Sequence, residues 1–415
     1  MHYLTRFRES SSERIRAIVD LHWNVIRDWI HLIASASYPF PEAMKALAEP
    51  MGVVPVEGLP EERYFPGTAV MDAIETRAEE LLCAMIAPGH DYRATIQPHS
   101  GTQANQVVFN AVLESDDRVL SLHPSQGGHI SHKVLIGRRN RVDFYPLGDG
   151  ATIDYDALEE LALRERPKLI IAGGSAYPRE IDFAAVGRVA RRSGALLHAD
   201  ISHTATFVAA GVHAPVVPHA DFVTFNMAKN MRGPNGGVVV YRHEHHKRVK
   251  RGLFPDTQGG PNENVMFAKL VTLEHLSTID LPGYARRMVE IARLMAFTLR
   301  ERGLAIVTGG TDSHIVLVDL RHRDTTGVDA ERACEKLRVL VNRNLVPGDP
   351  RPPWITSGVR LGTACLTILG YSNDDVRRLA EWLADRFAGE PHTPPSVALV
   401  DELTTRYNTA LLPQV

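Results

Sequence analysis

In the stretch Asp221-Phe222-Val223-Thr224-Phe225-Asn226-Met227-Ala228-Lys229-Asn230-Met231-Arg232-Gly233-Pro234-Asn235-Gly236-Gly237, a β-like run from Asp221 to Phe225 leads to a lysine, then to a turn with three glycines and a proline. Such a pattern predicts a strand ending at the carboxyl edge of an α/β sheet, with an amine presented just beyond it. A lysine held there can form a Schiff base with a carbonyl, whereas one on an exposed loop is only a solvated charge. Upstream, in His198-Ala199-Asp200-Ile201-Ser202-His203, Asp200 closes another apolar run, Ala195 to Leu197. Lys229 and Asp200 are thus both expected at carboxyl ends of strands.

Around these two stretches, apolar runs alternate with helical patterns. Val119 to Leu122, Val142 to Tyr145, Leu169 to Ala172, Ala195 to Leu197, Phe222 to Phe225 and Val238 to Tyr241 read as strands, and Tyr155 to Arg164 and Ala184 to Arg192 as helices. The alternation predicts a mainly parallel sheet covered by helices, whose ligands lie at the carboxyl ends of its strands. Gln126-Gly127-Gly128-His129, Gly173-Gly174-Ser175, Asp200, His203 and Lys229 all follow such runs, so five separated segments are expected to converge on one crevice. Gln97-Pro98-His99-Ser100-Gly101-Thr102-Gln103-Ala104-Asn105 precedes the apolar run Val107 to Leu113 and reads as a helix start. Its hydroxyls and glycine suit a phosphate and equally suit plain N-capping. Pyridoxal phosphate needs an amine for its aldehyde and a carboxylate that keeps its ring nitrogen protonated, so that the ring acts as an electron sink. Lys229 and Asp200 supply both.

Towards the N-terminus, apolar positions at helical spacing run from Ser12 to Ile33, with Ser10 to Ser12 as N-caps. The proline-rich segment Ile33 to Gly67 reads as a functional loop, and Met71 to Ala87 as a helix. Past Val265 the pattern is helical to Arg302, with Leu281-Pro282-Gly283 as a boundary. Strands at Ile315 to Leu320 and Val359 to Leu361, with helices at Asp329 to Val341 and Asp374 to Phe387, then predict a smaller α+β unit. The expected division is an N-terminal helical segment over 1–50, a large cofactor-binding domain over 51–280 and a small C-terminal domain over 281–415. With 44% hydrophobic and 23% charged residues, the composition is that of a soluble globular chain. A net charge of -3 supplies no footprint for nucleic acid, and no apolar run is long enough for a membrane span. Three scattered cysteines indicate neither a disulfide framework nor a zinc site, which fits a reducing cytoplasm. His243-Glu244-His245-His246 lacks zinc-motif spacing and reads as a solvated loop.

With these residues in place, the chain resembles serine hydroxymethyltransferase, a fold-type I family dependent on pyridoxal phosphate. The resemblance runs from Leu32-Ile33-Ala34-Ser35 through Arg63-Tyr64, Gln97-Pro98-His99-Ser100-Gly101, Gly127-Gly128-His129 and Val208-Ala209-Ala210-Gly211-Val212 to Gln258-Gly259-Gly260-Pro261 and Ser357-Gly358-Val359-Arg360-Leu361-Gly362-Thr363. It implies that Lys229 holds the cofactor, Asp200 pairs with its ring nitrogen and His129 stacks on the ring, with Ser175 and His203 near the phenolic oxygen. Ser100, Gly101 and Thr102 would take the phosphate, joined by Gly259 and Gly260 of a partner subunit, and Asn226 is placed on the cofactor side. Arg360, with Ser35 nearby, would clamp the amino-acid carboxylate. Glu57 and Tyr64 match the residues for proton transfer and substrate placement, and Asn344 a folate-side anchor. A homodimer with shared active sites follows, with pairing into tetramers left open.

Departures from the family pattern cluster on one side. Ala228 stands for the histidine before the lysine, Phe225 and Asn226 for threonines, and Asn235 for an arginine. Pro124-Ser125-Gln126 replaces Leu-Ala-His, and Phe65 replaces one of two paired tyrosines. The expected activity is cleavage or formation of the Cα–Cβ bond of β-hydroxy amino acids, with serine and glycine interconverted through tetrahydrofolate. The alternative is a folate-independent threonine aldolase or transaldolase that passes a glycyl unit to an aldehyde in specialised biosynthesis. A serine hydrolase built on Ser175 and His203 lacks the nucleophile-elbow pattern. A non-catalytic relative would have no use for both Lys229 and Asp200.

Overall fold

Residues 12–389 and 394–408 are described by a computed structural model. A seven-stranded sheet runs in the order Tyr92–Thr95, Gly237–Arg242, Phe222–Asn226, Leu196–Asp200, Leu169–Gly173, Arg118–Leu122 and Arg141–Tyr145. Gly237–Arg242 is antiparallel to both neighbours, and the five strands beyond it are mutually parallel. Leu169–Gly173, an inner strand, is buried at every residue, as expected of a strand covered on both faces. Each fully buried leucine or isoleucine there contributes about 1.5–3 kcal/mol. Helices Gly101–Val112, Tyr155–Glu165 and Phe183–Ser193 follow the strands in α/β alternation.

Two glycines mark where loops at the carboxyl edge press on neighbouring strands. A Cβ on Gly128 would lie 2.0 Å from the Leu122 carbonyl oxygen, and one on Gly173 2.1 Å from that of Asp200. Side chains at either position would push the Gly127-Gly128-His129 and Gly173-Gly174-Ser175 loops off the sheet.

The C-terminal part holds a four-stranded sheet in the order Ala305–Ile306, Ile315–Asp319, Gly358–Gly362 and Asn342–Asn344. Helix Leu281–Glu301 packs on helix Asn373–Phe387 and on Ala205–Ala209 of the large sheet's side. Ile30 and Leu32 belong to the C-terminal core, because Ile30–His31 pairs in parallel with Val339–Leu340. The helix Glu13–Asp28 begins at an N-cap, Ser12, and ends where Asn408 donates to the carbonyls of Ile26, Arg27 and Trp29. None of its residues is buried, and Ile15, Ile18 and Leu21 are 44%, 63% and 67% exposed.

Several expectations change. The helix expected through Ile33 stops at Asp28, since Ile30 and His31 find a strand partner more than 300 residues away in sequence. The helix expected over Asp329 to Val341 ends at Glu335, and the chain turns through Arg338 at φ 61° into Val339–Leu340. Tyr92–Thr95 is an unpredicted strand, formed by pairing with Gly237–Arg242. The His243–His246 tract is no solvated loop. His245 is buried against Phe222 and His246 bonds the Tyr241 hydroxyl at 3.0 Å, while His243, which meets Asp91, and Glu244 are exposed.

Candidate active site

Phe222–Asn226 delivers Lys229 through a tight turn. Gly233 N–H donates to the Met227 carbonyl at 2.8 Å, Met227 N–H to that of Gly236 at 2.9 Å, and Ala228 N–H to Asn226 Oδ1 at 2.8 Å. The amine therefore projects from a closed backbone loop. Burial lowers its pKa to about 8; Asp200 opposes the shift and Arg360 adds to it. An ordinary lysine is almost fully protonated at neutral pH, so this one is much nearer to a free amine.

Asp200 ends its strand with every acceptor position occupied. Oδ2 accepts from Asn105 at 2.8 Å and from His132 Nε2 at 3.0 Å, and Oδ1 accepts from the Ser202 N–H at 3.1 Å and its hydroxyl at 2.6 Å. Burial alone would raise its pKa, but the His132 bond and the neighbouring His129 and Lys229 hold it well below the usual carboxylate range. The Ser202 hydroxyl can rotate away, which leaves one acceptor position for an N–H donor in the crevice.

His132 and Asn105 escaped sequence reasoning. Asn105 lies on the helix that starts at Gly101, and its Oδ1 also accepts from Thr224 at 2.6 Å. His132 lies one turn beyond His129 on the short helix Ile130–Val134. The only signal for either was its spacing from a residue already singled out. His129 caps that short helix, with its Nδ1 2.6 Å from the Ser131 hydroxyl, and burial lowers its pKa to about 4.

Arg360, on Gly358–Gly362, donates from Nε to Asn342 Oδ1 at 3.2 Å and from Nη1 to the Ser175 carbonyl. Burial lowers its pKa to about 10. Among the described residues no carboxylate pairs with it, so the structural ion pair that a buried guanidinium ordinarily requires is absent. A part-buried cation left in this state fits a site completed by an anionic ligand. Ser35 is exposed on the loop that crosses Gly362. Ser175 donates to the Gly128 carbonyl at 3.4 Å, and no hydrogen bond joins it to His203, which removes the hydrolase arrangement.

Ser100 caps the helix Gly101–Val112 by accepting from Gln103 N–H at 3.1 Å, which leaves its O–H free to donate. Thr102 is exposed in the first turn. Asn226 lies over this helix start, its Cβ 3.2 Å from a Cβ built on Gly101, and its amide donates to Asn235 at 2.9 Å. Beneath, the buried Lys269 donates to the carbonyls of Ile96, Pro98 and Gly237, tying both phosphate-side loops together. The donor set fits pyridoxal phosphate: a helix start for the phosphate, a buried carboxylate for the ring nitrogen and an amine of lowered pKa for the aldehyde.

Glu57 and Tyr64 are placed elsewhere. The hairpin Gly58–Leu59 and Glu62–Arg63 joins them, Tyr64 N–H donating to the Glu57 carbonyl at 3.2 Å. The exposed Tyr64 ring meets Phe254 at 5.1 Å, and a Cβ on Gly259 would lie 3.4 Å from Glu57 Oε1. Glu57 therefore lies against the exposed Gly259 and Gly260, with the exposed Tyr64 on the same hairpin. Asn344 pairs with Gly358 on the small-domain sheet, and its amide donates to the Leu345 carbonyl at 2.7 Å.

Fold and site together define a pyridoxal-phosphate-dependent enzyme of fold type I. The family described as serine hydroxymethyltransferase matches residues 9–383. Proteins named serine hydroxymethyltransferase from Cupriavidus taiwanensis, Ralstonia pickettii and Bordetella avium are 39%, 40% and 40% identical, over 92%, 90% and 91% of this chain and the same shares of theirs. The chain belongs to the serine hydroxymethyltransferase family.

Proposed function

We propose that the enzyme interconverts serine and glycine, with tetrahydrofolate as the one-carbon acceptor. The observation that carries this is the part-buried Arg360 without a carboxylate partner among the described residues, close enough to Lys229 for its charge to lower that amine's pKa: an amino acid brings the missing carboxylate. Arg360 holds that carboxylate, with Ser35 beside it. Lys229 attaches the cofactor, Asp200 keeps its ring nitrogen protonated, and His129 covers the ring. Ser175 and His203 face the phenolic oxygen, and Ser100, Gly101, Thr102 and Asn226 hold the phosphate. When bound, the cofactor supplies the electron sink for the carbanion left at the α-carbon. Glu57 moves the proton at the hydroxymethyl group, Tyr64 places that group, and Asn344 anchors the folate.

Serine cleavage is expected to require tetrahydrofolate, and exchange of the glycine α-proton to quicken when it is added. Absence of tetrahydrofolate binding to the glycine-loaded enzyme by calorimetry, together with transfer of threonine's glycyl unit to an added aldehyde, would replace this activity by transaldol chemistry.

A homodimer with composite sites is part of the same proposal. Glu57 lies beside the exposed Gly259 and Gly260, Tyr64 is exposed on the same hairpin, and the exposed Ile15, Ile18 and Leu21 offer an apolar stripe for a second copy. Lys229→Ala and Glu57→Gln subunits, each nearly inactive, are expected to recover about a quarter of the parent activity when co-expressed. Half of the dimers would be hybrids, and each hybrid would hold one intact site. No recovery in hybrids verified by mass would place Glu57 in its own subunit's site. Among the described residues no helix is long and apolar enough to cross a membrane. The three cysteines are free, in keeping with a reducing cytoplasm.

A further inference from the structure

His314 opens the strand Ile315–Asp319 and is fully buried between the large sheet's loops and the Ala34-Ser35 segment. Its Nε2 lies 3.0 Å from the Ala34 carbonyl oxygen and 3.3 Å from His203 Nδ1. A carbonyl can only accept, so the proton of His314 is on Nε2. His203 Nδ1, facing the same N–H, can then only be an acceptor. The two ring planes are 13° from parallel, with centroids 5.4 Å apart. That separation is close to the nitrogen–nitrogen distance plus two ring radii, so they meet edge to edge, as a hydrogen bond requires, rather than face to face.

We propose that His314 is a positioning residue that sets His203 in the tautomer with a bare Nδ1 and a protonated Nε2, and that couples this setting to the Ala34-Ser35 loop. The role of His203 towards the cofactor rests on the function proposed above; the tautomer does not. Among the described residues His203 Nε2 makes no hydrogen bond, so its N–H is left for a ligand in the crevice. The His203 backbone is held in this arrangement by its carbonyl, which accepts from Asn230 at 2.7 Å, next to Lys229. The loop is equally constrained: Gly362 N–H donates to the Leu32 carbonyl at 2.7 Å, and a Cβ on Gly362 would collide with Ala34.

Packing alone does not account for His314. Its Nδ1 is buried without a partner, and the ring lies 5.8 Å centroid to centroid from Phe207, in a space that a carbocyclic ring would fill at lower cost. Burial, then the Lys229 and Arg360 charges, pushes His203 well below the usual histidine range. Burial, partly offset by the Ala34 bond, lowers His314 to about 3. Both rings are therefore neutral, and tautomer rather than charge is what their contact decides.

The test uses the full-length protein as isolated, labelled with 15N-histidine, the His203 resonances being assigned by their loss in His203→Gln. Long-range 1H–15N correlation is expected to show His203 protonated at Nε2 only. His314→Gln, which keeps a donor at the same reach, should preserve that pattern, and His314→Phe should give a mixture of tautomers. On serine, His314→Phe should lose about tenfold in kcat with KM nearly unchanged. Gln should rescue most of it, and the loss should vanish in a His203→Gln background, as coupled residues require. Protonation of His203 at Nδ1 in the parent overturns the proposal, as does an unchanged tautomer or an additive loss in a folded Phe variant. If His314→Phe does not fold, the parent spectrum and the Gln variant still decide. A parent enzyme inactive on serine would count against the function and leave the tautomer result standing.

Discussion

Lys229→Ala is expected to abolish covalent attachment of pyridoxal phosphate and to lower turnover on the order of 10³-fold or more, the scale on which removal of a covalent catalytic group is felt. Borohydride reduction of the loaded parent should fix the cofactor to the peptide containing Lys229 and, in the variant, to none. Only the unprotonated amine attacks an aldehyde. Because burial lowers the Lys229 pKa to about 8, the rate of cofactor uptake by the free enzyme should rise with pH through that value and level off above it. An ordinary lysine would keep rising towards pH 10. Cofactor fixed to a different lysine in the variant would overturn the assignment.

Asp200→Asn is expected to retain the cofactor while turnover falls about 10²–10³-fold, the usual loss when a preorganised electrostatic partner is removed. The amide cannot hold a proton on the ring nitrogen as the carboxylate does. Its NH2 also faces Asn105 and His132, both of which now donate to Asp200. A buried donor set against a donor costs about 1–3 kcal/mol, so the variant should also melt earlier. Parent-like turnover, with the cofactor bound, would remove Asp200 from this role. An Asn105→Ala variant tests the same network from the other side, since it leaves Asp200 charged but one bond short.

Most of the large sheet was legible in the sequence because its strands are buried on both faces. Leu169–Gly173 stands out as a continuous apolar run and Phe222–Phe225 as one broken only by Thr224. Tyr92–Thr95 did not, since a four-residue strand with one antiparallel neighbour carries no periodicity of its own. The pairing of Ile30–His31 with Val339–Leu340 was hidden for the same reason, and local pattern extended helices across both segments.

What the sequence determined by itself was a set of strand-end and helix-start positions: Lys229, Asp200, His129, and the Ser100-Gly101-Thr102 helix start. Each follows an apolar run or begins a helix, so local spacing fixes its place at the sheet's carboxyl edge. Tertiary structure alone decided which groups hold these residues in state. Asn105 and His132 fill the Asp200 carboxylate, Asn342 and the Ser175 carbonyl aim Arg360, and His314 faces His203 across 111 residues of chain. The same holds for Glu57, which the chain sets beside Gly259 and Gly260. Hydrogen bonds and desolvation depend on distances of a few ångströms between remote segments, and those distances exist only once the two cores have packed.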